Sequence, residues 1–402
     1  MALARWENEG GAPLPAVAGK GADGVHGGGS ASTPVAGEAP VSEALRALRA
    51  LGQSLWLDNL SRTILDDGTL QGYIGAFGIT GLTSNPTIFD QAIGSGDAYD
   101  AGIREKAASG LSGEALFFEL ALEDLRRAAL LFRPVFDSTE GTDGWVSVEL
   151  SPLLAHDAAG SIAAAAEIHA QAAIDNLLVK IPGTPAGLEA IEESIFNGIP
   201  VNVTLLFSAG QYLAALHAYM RGIERRIVAG RNPEVGSVAS LFVSRWDKVA
   251  NAVLPPPMHN KLGVAMAQRV YRVCREQLAS PRWQALAAAG ARPQRLLWAS
   301  TGSKDAQAPD TLYVQALAAP ETINTMPEKT LRAFADHGSA PAAMAIDGGP
   351  CEATLQRISE AGIDIDVLAA NLQSEGAESF VRSWKQLLQR VADKARSGSV
   401  AR

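Results

Sequence analysis

The chain has 402 residues, 47% of them hydrophobic and 19% charged, which is apolar content enough for a large buried core. A formal net charge of -9 offers no broad basic surface against phosphate repulsion, so a general nucleic-acid binder is excluded and only a local basic pocket is allowed. Two cysteines, Cys274 and Cys351, are too few for a disulfide framework, no apolar run approaches the ~18 residues of a membrane span, and no apolar secretion signal opens the chain, so a cytoplasmic protein without a membrane partner is expected.

Residues 1–40 are rich in Gly, Ala and Pro and nearly lack large apolar side chains, so burial cannot offset the entropy of ordering them. A disordered tail is expected there, followed by a single catalytic domain over 41–402. From Ser42 the pattern changes: Leu45, Leu48 and Leu51 recur at helical spacing and Gly52 stops that helix. Short apolar runs then alternate with long amphipathic stretches. The runs predict strands over Ser54–Asp58, Ile79–Ser84, Trp145–Leu150, Leu177–Ile181, Val201–Phe207, Ser240–Val243, Leu296–Ser300 and Ile323–Met326.

The intervening stretches carry helix signals. Thr184 with Pro185 opens one that bears Leu188, Ile191 and Ile195 and ends at Asn197-Gly198. Ser208 and Gln211 have capping-box spacing before a stripe of Leu213, Leu216, Met220, Ile223 and Ile227, closed by Gly230. Repeated strand–helix units imply a parallel sheet, and eight of them favour closure into a (β/α)8 TIM barrel, an α/β fold. A doubly wound open sheet is the alternative, but the glycine-rich first turn usual there is absent. The chain exceeds the ~250 residues of a plain barrel. Helical insertions are therefore expected around Asp90–Phe136 and Asn251–Gly290, with a helical C-terminal extension after Gly338 whose face Phe380, Trp384, Leu387, Leu388 and Val391 packs back on the barrel.

The fourth run, Leu177-Leu178-Val179-Lys180-Ile181-Pro182-Gly183, sets a lysine inside a strand buried on both faces. Alternation places Leu178 and Lys180 on one side. A buried ammonium is costly unless paired, and burial favours the neutral amine that can attack a carbonyl to form a Schiff base. A strand-end lysine reaching out to water is the plainer reading. Other strands also present polar residues near their ends: Asp58 shares a face with Trp56, Glu149 with Ser147, Thr204 with Asn202, and Ser240 with Phe242. An Asp before a turn is usually a cap and Asn85-Pro86 usually a turn. Gathered at one barrel mouth, these residues have no structural return for their desolvation. The six histidines show no metal-ligand spacing, and no Walker loop, nucleophile elbow or dinucleotide fingerprint is present.

Six segments carry a family resemblance: Leu57-Asp58-Asn59, Gly81-Leu82-Thr83-Ser84-Asn85-Pro86-Thr87, Val148-Glu149-Leu150-Ser151-Pro152, Leu178-Val179-Lys180-Ile181-Pro182, Asn202-Val203-Thr204-Leu205-Leu206-Phe207-Ser208 and Ser240-Leu241-Phe242-Val243-Ser244-Arg245. In this order they resemble the successive strand-end motifs of the transaldolase family. Leu297-Trp298-Ala299-Ser300-Thr301 and Ile323-Asn324-Thr325-Met326-Pro327 fit its last two strands. The resemblance implies cofactor-free, metal-free transfer of a dihydroxyacetone unit between sugar phosphates by a monomer or homodimer. On matching positions, Lys180 forms the Schiff base, Glu149 and Thr204 hold the water lost and regained, and Asp58 moves the C4 hydroxyl proton. Asn85, Asn202 and Ser240 bind substrate hydroxyls, with Phe242 on the same wall. Arg245 is the expected phosphate ligand, assisted by Ser300. Lys304 stands where a second phosphate-binding arginine is expected. An aldolase releasing free dihydroxyacetone and a non-catalytic sugar-phosphate-binding scaffold are the alternatives.

Overall fold

In the computed structural model, which describes residues 42–397, the apolar runs form strands β1 (Ser54–Asp58), β2 (Gly81–Thr83), β3 (Val146–Glu149), β4 (Leu177–Pro182), β5 (Val201–Leu206), β6 (Ser237–Phe242), β7 (Arg295–Ala299) and β8 (Thr322–Met326). They close into a parallel barrel in chain order. The ring is sealed where β1 pairs with β8, from Ser54 opposite Ile323 to Leu57 opposite Met326. The expected tail over 1–40 lies outside the described residues.

The barrel closes because its strands are buried on both sides over nearly their whole length. Every residue of β4 and β5 is buried, and each fully buried Leu or Ile there contributes roughly 1.5–3 kcal/mol. At the N-terminal end, the interior is filled by Trp56, whose Nε1 donates to Asp143 Oδ1 at 2.8 Å. Only glycine fits opposite it: a Cβ on Gly81 would stand 2.6 Å from the indole. β6 starts at Ser237 rather than at the expected Ser240, because the Ser237 hydroxyl donates to Val201 O at 2.9 Å and extends the ladder through polar residues.

Helix ends follow their capping residues. Thr184 Oγ1 accepts from Gly187 N at 3.1 Å and starts Pro185–Phe196. Ser208 Oγ accepts from Gln211 N while Gln211 Oε1 accepts from Ser208 N, both at 3.2 Å, and this reciprocal box starts Ala209–Val228. The insertions are helical: Pro86–Gly94, Asp100–Ala108 and Gly113–Ser138 follow β2, and Leu262–Leu278 and Pro281–Ala288 precede β7. No described helix is long and apolar enough to cross a membrane.

The C-terminal helix, Ile365–Ser397, buries Phe380, Trp384, Leu387 and Val391, with Leu388 partly covered. It is tied to the insertion helices, for Trp384 Nε1 donates to Glu114 at 2.7 Å and Arg390 Nε to Asp90 at 2.7 Å. It also reaches the C-terminal rim of the barrel. Gln373 Nε2 donates to Gly183 O at 3.1 Å and to Leu205 O at 2.9 Å, at the ends of β4 and β5.

Candidate active site

Register assembles the site. β3 and β4 place Glu149 beside Lys180, while β4 and β5 place Lys180 beside Asn202 and Pro182 beside Thr204. Opposed residues of parallel strands share a face, so amine, carboxylate, amide and hydroxyl all point into the barrel. Lys180 is 5% exposed and Glu149 7%. The Lys180 Nζ donates to Ser84 O at 3.1 Å and to Glu149 Oε2 at 3.2 Å, so the lysine does not reach out to water. Burial pushes the Glu149 carboxyl above its ordinary range; Lys180 opposes that shift, Asp58 adds to it and Arg245 opposes it. A carboxyl lifted in this way is a competent acceptor for the lysine proton, and passing it over leaves a neutral amine.

Asp58 ends β1 and is held by Thr83, whose Oγ1 donates to Asp58 Oδ1 at 2.7 Å and lies 2.8 Å from Thr325 Oγ1. Thr204 ends the regular part of β5. Its hydroxyl is fully buried without a hydrogen-bond partner among the described residues. Immediately after it the β5–β6 register shifts, and Leu205 adopts a φ of 58°. Such a backbone conformation costs of order 1–3 kcal/mol and is held here by the Gln373 bond to Leu205 O. Asn85 is a helix cap: its Oδ1 accepts from Ile88 N at 3.0 Å, starting helix Pro86–Gly94, and that bond fixes the side chain.

A narrow cavity of about 20 Å³ opens at the C-terminal rim. Of the expected residues, Asp58, Asn85, Lys180, Thr204, Ser240, Phe242 and Ser300 line it. Glu149 stands behind Lys180. Asn202 is fully buried behind the wall, donating to Ser147 Oγ at 3.1 Å and accepting from Ser240 Oγ at 2.7 Å, so it orients Ser240. Arg245 lies in the first turn of helix Ser244–Ala250 and is 4% exposed. Its guanidinium sits over the Phe242 ring at 4.8 Å and the Phe380 ring at 5.7 Å, and both rings belong to the cavity wall. Ser300, with a φ of 55°, is fixed through Ser244, whose Oγ is 2.9 Å from its own and whose N–H donates to its carbonyl at 3.0 Å. Lys304 is exposed on the loop after β7 and does not reach the cavity wall.

Sequence reasoning missed Thr83, Ala299, Thr325 and Phe380 among the lining residues. Strand alternation signals Thr325, which opposes Trp56 on the inward face, and Phe380 belongs to the apolar stripe of the C-terminal helix. A larger cavity of about 480 Å³ lies at the other end of the barrel, walled by Tyr271, Leu278, Trp283 and Pro320. Its lining holds the Arg275–Glu321 ion pair but no lysine, and it is at the end where barrel enzymes do not place their chemistry.

A sequence model described as Transaldolase/Fructose-6-phosphate aldolase matches residues 55–391. The chain is 44% identical over 362 residues to the transaldolase of Renibacterium salmoninarum, covering 88% of this chain and 96% of that protein. It is 42% identical over 358 residues to the transaldolase of Thermobifida fusca, covering 87% and 97%, and 40% identical over 345 residues to that of Neisseria gonorrhoeae, covering 86% and 98%. Similarity of this extent, running from β1 into the C-terminal helix, makes the chain a member of the transaldolase family.

Proposed function

We propose that the cavity transfers a dihydroxyacetone unit from sedoheptulose 7-phosphate or fructose 6-phosphate to glyceraldehyde 3-phosphate or erythrose 4-phosphate through a Schiff base on Lys180. The observation that carries this reading is the buried contact of Lys180 Nζ with Glu149 inside the barrel. Glu149 takes a proton from the lysine, the neutral amine adds to the ketose C2 carbonyl, and the carbinolamine loses its oxygen as water while the imine forms. Thr204, whose hydroxyl has no hydrogen-bond partner among the described residues, holds that water against Glu149. Asp58 then removes the C4 hydroxyl proton, the C3–C4 bond breaks, and its electron pair passes into the protonated imine. The aldose leaves, the bound enamine attacks the acceptor aldehyde, and Asp58 returns its proton. Water then releases the product ketose from Lys180.

Arg245 is the phosphate ligand in this scheme, since its fork can grip two oxygens. Asn85 and Ser240 bind the hydroxyls of the three-carbon unit, and Asn202 acts through Ser240. An aldolase releasing free dihydroxyacetone is the alternative the family description leaves open, and the relatives named above support transfer. Borohydride reduction in the presence of fructose 6-phosphate, followed by peptide mass mapping, tests the mechanism. The adduct is expected on the peptide containing Lys180, and a modified peptide lacking it ends the proposal. Turnover unaffected by erythrose 4-phosphate in a coupled assay would replace transfer by aldol cleavage.

A further inference from the structure

We propose that Thr325, near the end of β8, is a positioning residue for Asp58 that acts through the hydroxyl of Thr83; this rests on reading Asp58 as the group that moves the C4 hydroxyl proton. Three strands meet at this point. β1 sets Asp58 opposite Thr83 of β2 and Trp56 opposite Thr325 of β8, and Asp58, Thr83 and Thr325 all line the cavity. Thr83 Oγ1 donates to Asp58 Oδ1 at 2.7 Å and stands 2.8 Å from Thr325 Oγ1. Asp58 is also held by a further interaction among the described residues. What the two threonines add is control of the hydrogen at Oδ1.

A hydroxyl carries one hydrogen and accepts at its lone pairs. While Asp58 is a carboxylate it only accepts, so Thr83 gives its hydrogen to Oδ1 and the Thr325 hydrogen fills the gap between the two threonines. When the C4 hydroxyl proton passes to Asp58, the carboxyl itself becomes a donor. The row then reverses: a hydrogen on Oδ1 points to Thr83 Oγ1, Thr83 turns its own to Thr325, and no bond in the row is lost. Thr83 is 3% exposed and Thr325 2%, so solvent does not replace a bond left unmade there. Asp58 changes state twice in each turnover, once as the donor ketose is cleaved and once as the product forms. Thr83 alone serves the carboxylate, and Thr325 lets it serve the acid as well. The seat of Thr325 is firm, for its carbonyl accepts from Thr301 Oγ1, just past β7, at 3.0 Å.

The test compares T325V, T325S and D58N in the full-length enzyme. It reads kcat, KM for fructose 6-phosphate with erythrose 4-phosphate as acceptor, and the mass of the adduct on the Lys180 peptide after an early borohydride quench without acceptor. Valine keeps the volume of threonine without the hydroxyl, and T325A, which adds no methyl, is read in the same way if T325V does not fold. In T325V, kcat is expected to fall about tenfold with KM within about twofold, the share of one buried hydrogen bond felt while Asp58 moves its proton. Imine formation precedes the Asp58 step, so trapping is expected to stay full while the adduct shifts from the three-carbon unit towards the whole ketose phosphate. T325S restores kcat and the three-carbon adduct. If D58N abolishes turnover while T325V keeps the parent kcat, Thr325 is only a wall and the inference fails while the reading of Asp58 stands. If T325V loses trapping together with kcat, or T325S does not rescue it, the role is structural and the inference fails as well. If D58N keeps the parent kcat, the reading of Asp58 falls and takes the inference with it.

Discussion

Replacing Lys180 by methionine tests whether the amine is held by Glu149. Methionine keeps much of the length and volume of the side chain, so the chief change is the loss of the ammonium from Glu149 Oε2 and Ser84 O. Removing one partner of a buried ion pair costs about 3–5 kcal/mol, because the other charge stays buried and unpaired. Glu149 escapes that penalty by binding a proton. Burial already raises its carboxyl above the ordinary value of 4.5, and Lys180 opposes that rise, so the substitution lifts it further. A carboxyl raised in the folded state contributes stability that is fully present below the unfolded value and is lost as pH climbs through the folded one. The K180M deficit is therefore expected to be near its full 3–5 kcal/mol at pH 8 and distinctly smaller at pH 5. Urea unfolding followed by circular dichroism at the two pH values measures it, with E149Q/K180M as the control whose deficit does not vary with pH. A K180M deficit of equal size at pH 5 and pH 8 would refute the coupling of the two side chains.

Two further substitutions separate chemistry from architecture. Thr204→Val keeps the shape and removes a buried hydroxyl that has no partner among the described residues; stability should hold or rise by about 1 kcal/mol while kcat falls at least about tenfold, and thermal unfolding with steady-state assays decides it, unchanged kcat overturning the proposed role in handling water. Asp247 accepts from Leu262 N at 2.9 Å, from Gly263 N at 3.2 Å and from Tyr313 OH at 2.8 Å, and burial pushes its carboxyl from 3.8 up to about 6. Its contribution is full below pH 3.8 and fades as pH rises to about 6. At about 1.36 kcal/mol per pH unit, D247N should gain about 2 kcal/mol relative to the parent between pH 4 and pH 7, and parallel urea-unfolding profiles would contradict this.

What the sequence makes legible here is periodicity, and what it hides is closure. The alternation of period 2 in Leu178-Val179-Lys180 assigns Lys180 to a face, and because parallel partners share that face, the same parity on β3 delivers Glu149 beside it. Capping residues are equally local, which is why Thr184 and Ser208 mark their helices to the residue. Depth is not local. Asn202 carries the right parity, but the barrel seats it behind Ser240, and only the bonds to Ser147 and Ser240 reveal an indirect place. Lys304 lies next to the end of β7 in sequence, and the loop turns it to solvent.

Phe380 shows the limit most clearly. Its apolar stripe announces that one helix face is buried, yet a stripe does not name its partner. The partner is decided where Gln373 meets Gly183, 190 positions away in the chain, and where Gly376 admits the helix to Leu205. Neither contact leaves a periodic trace in the sequence. The strands bring their inward residues to the site by local pattern, whereas Phe380 reaches the cavity wall on a helix held by contacts distant in sequence, so the first are readable from the chain and the second is not.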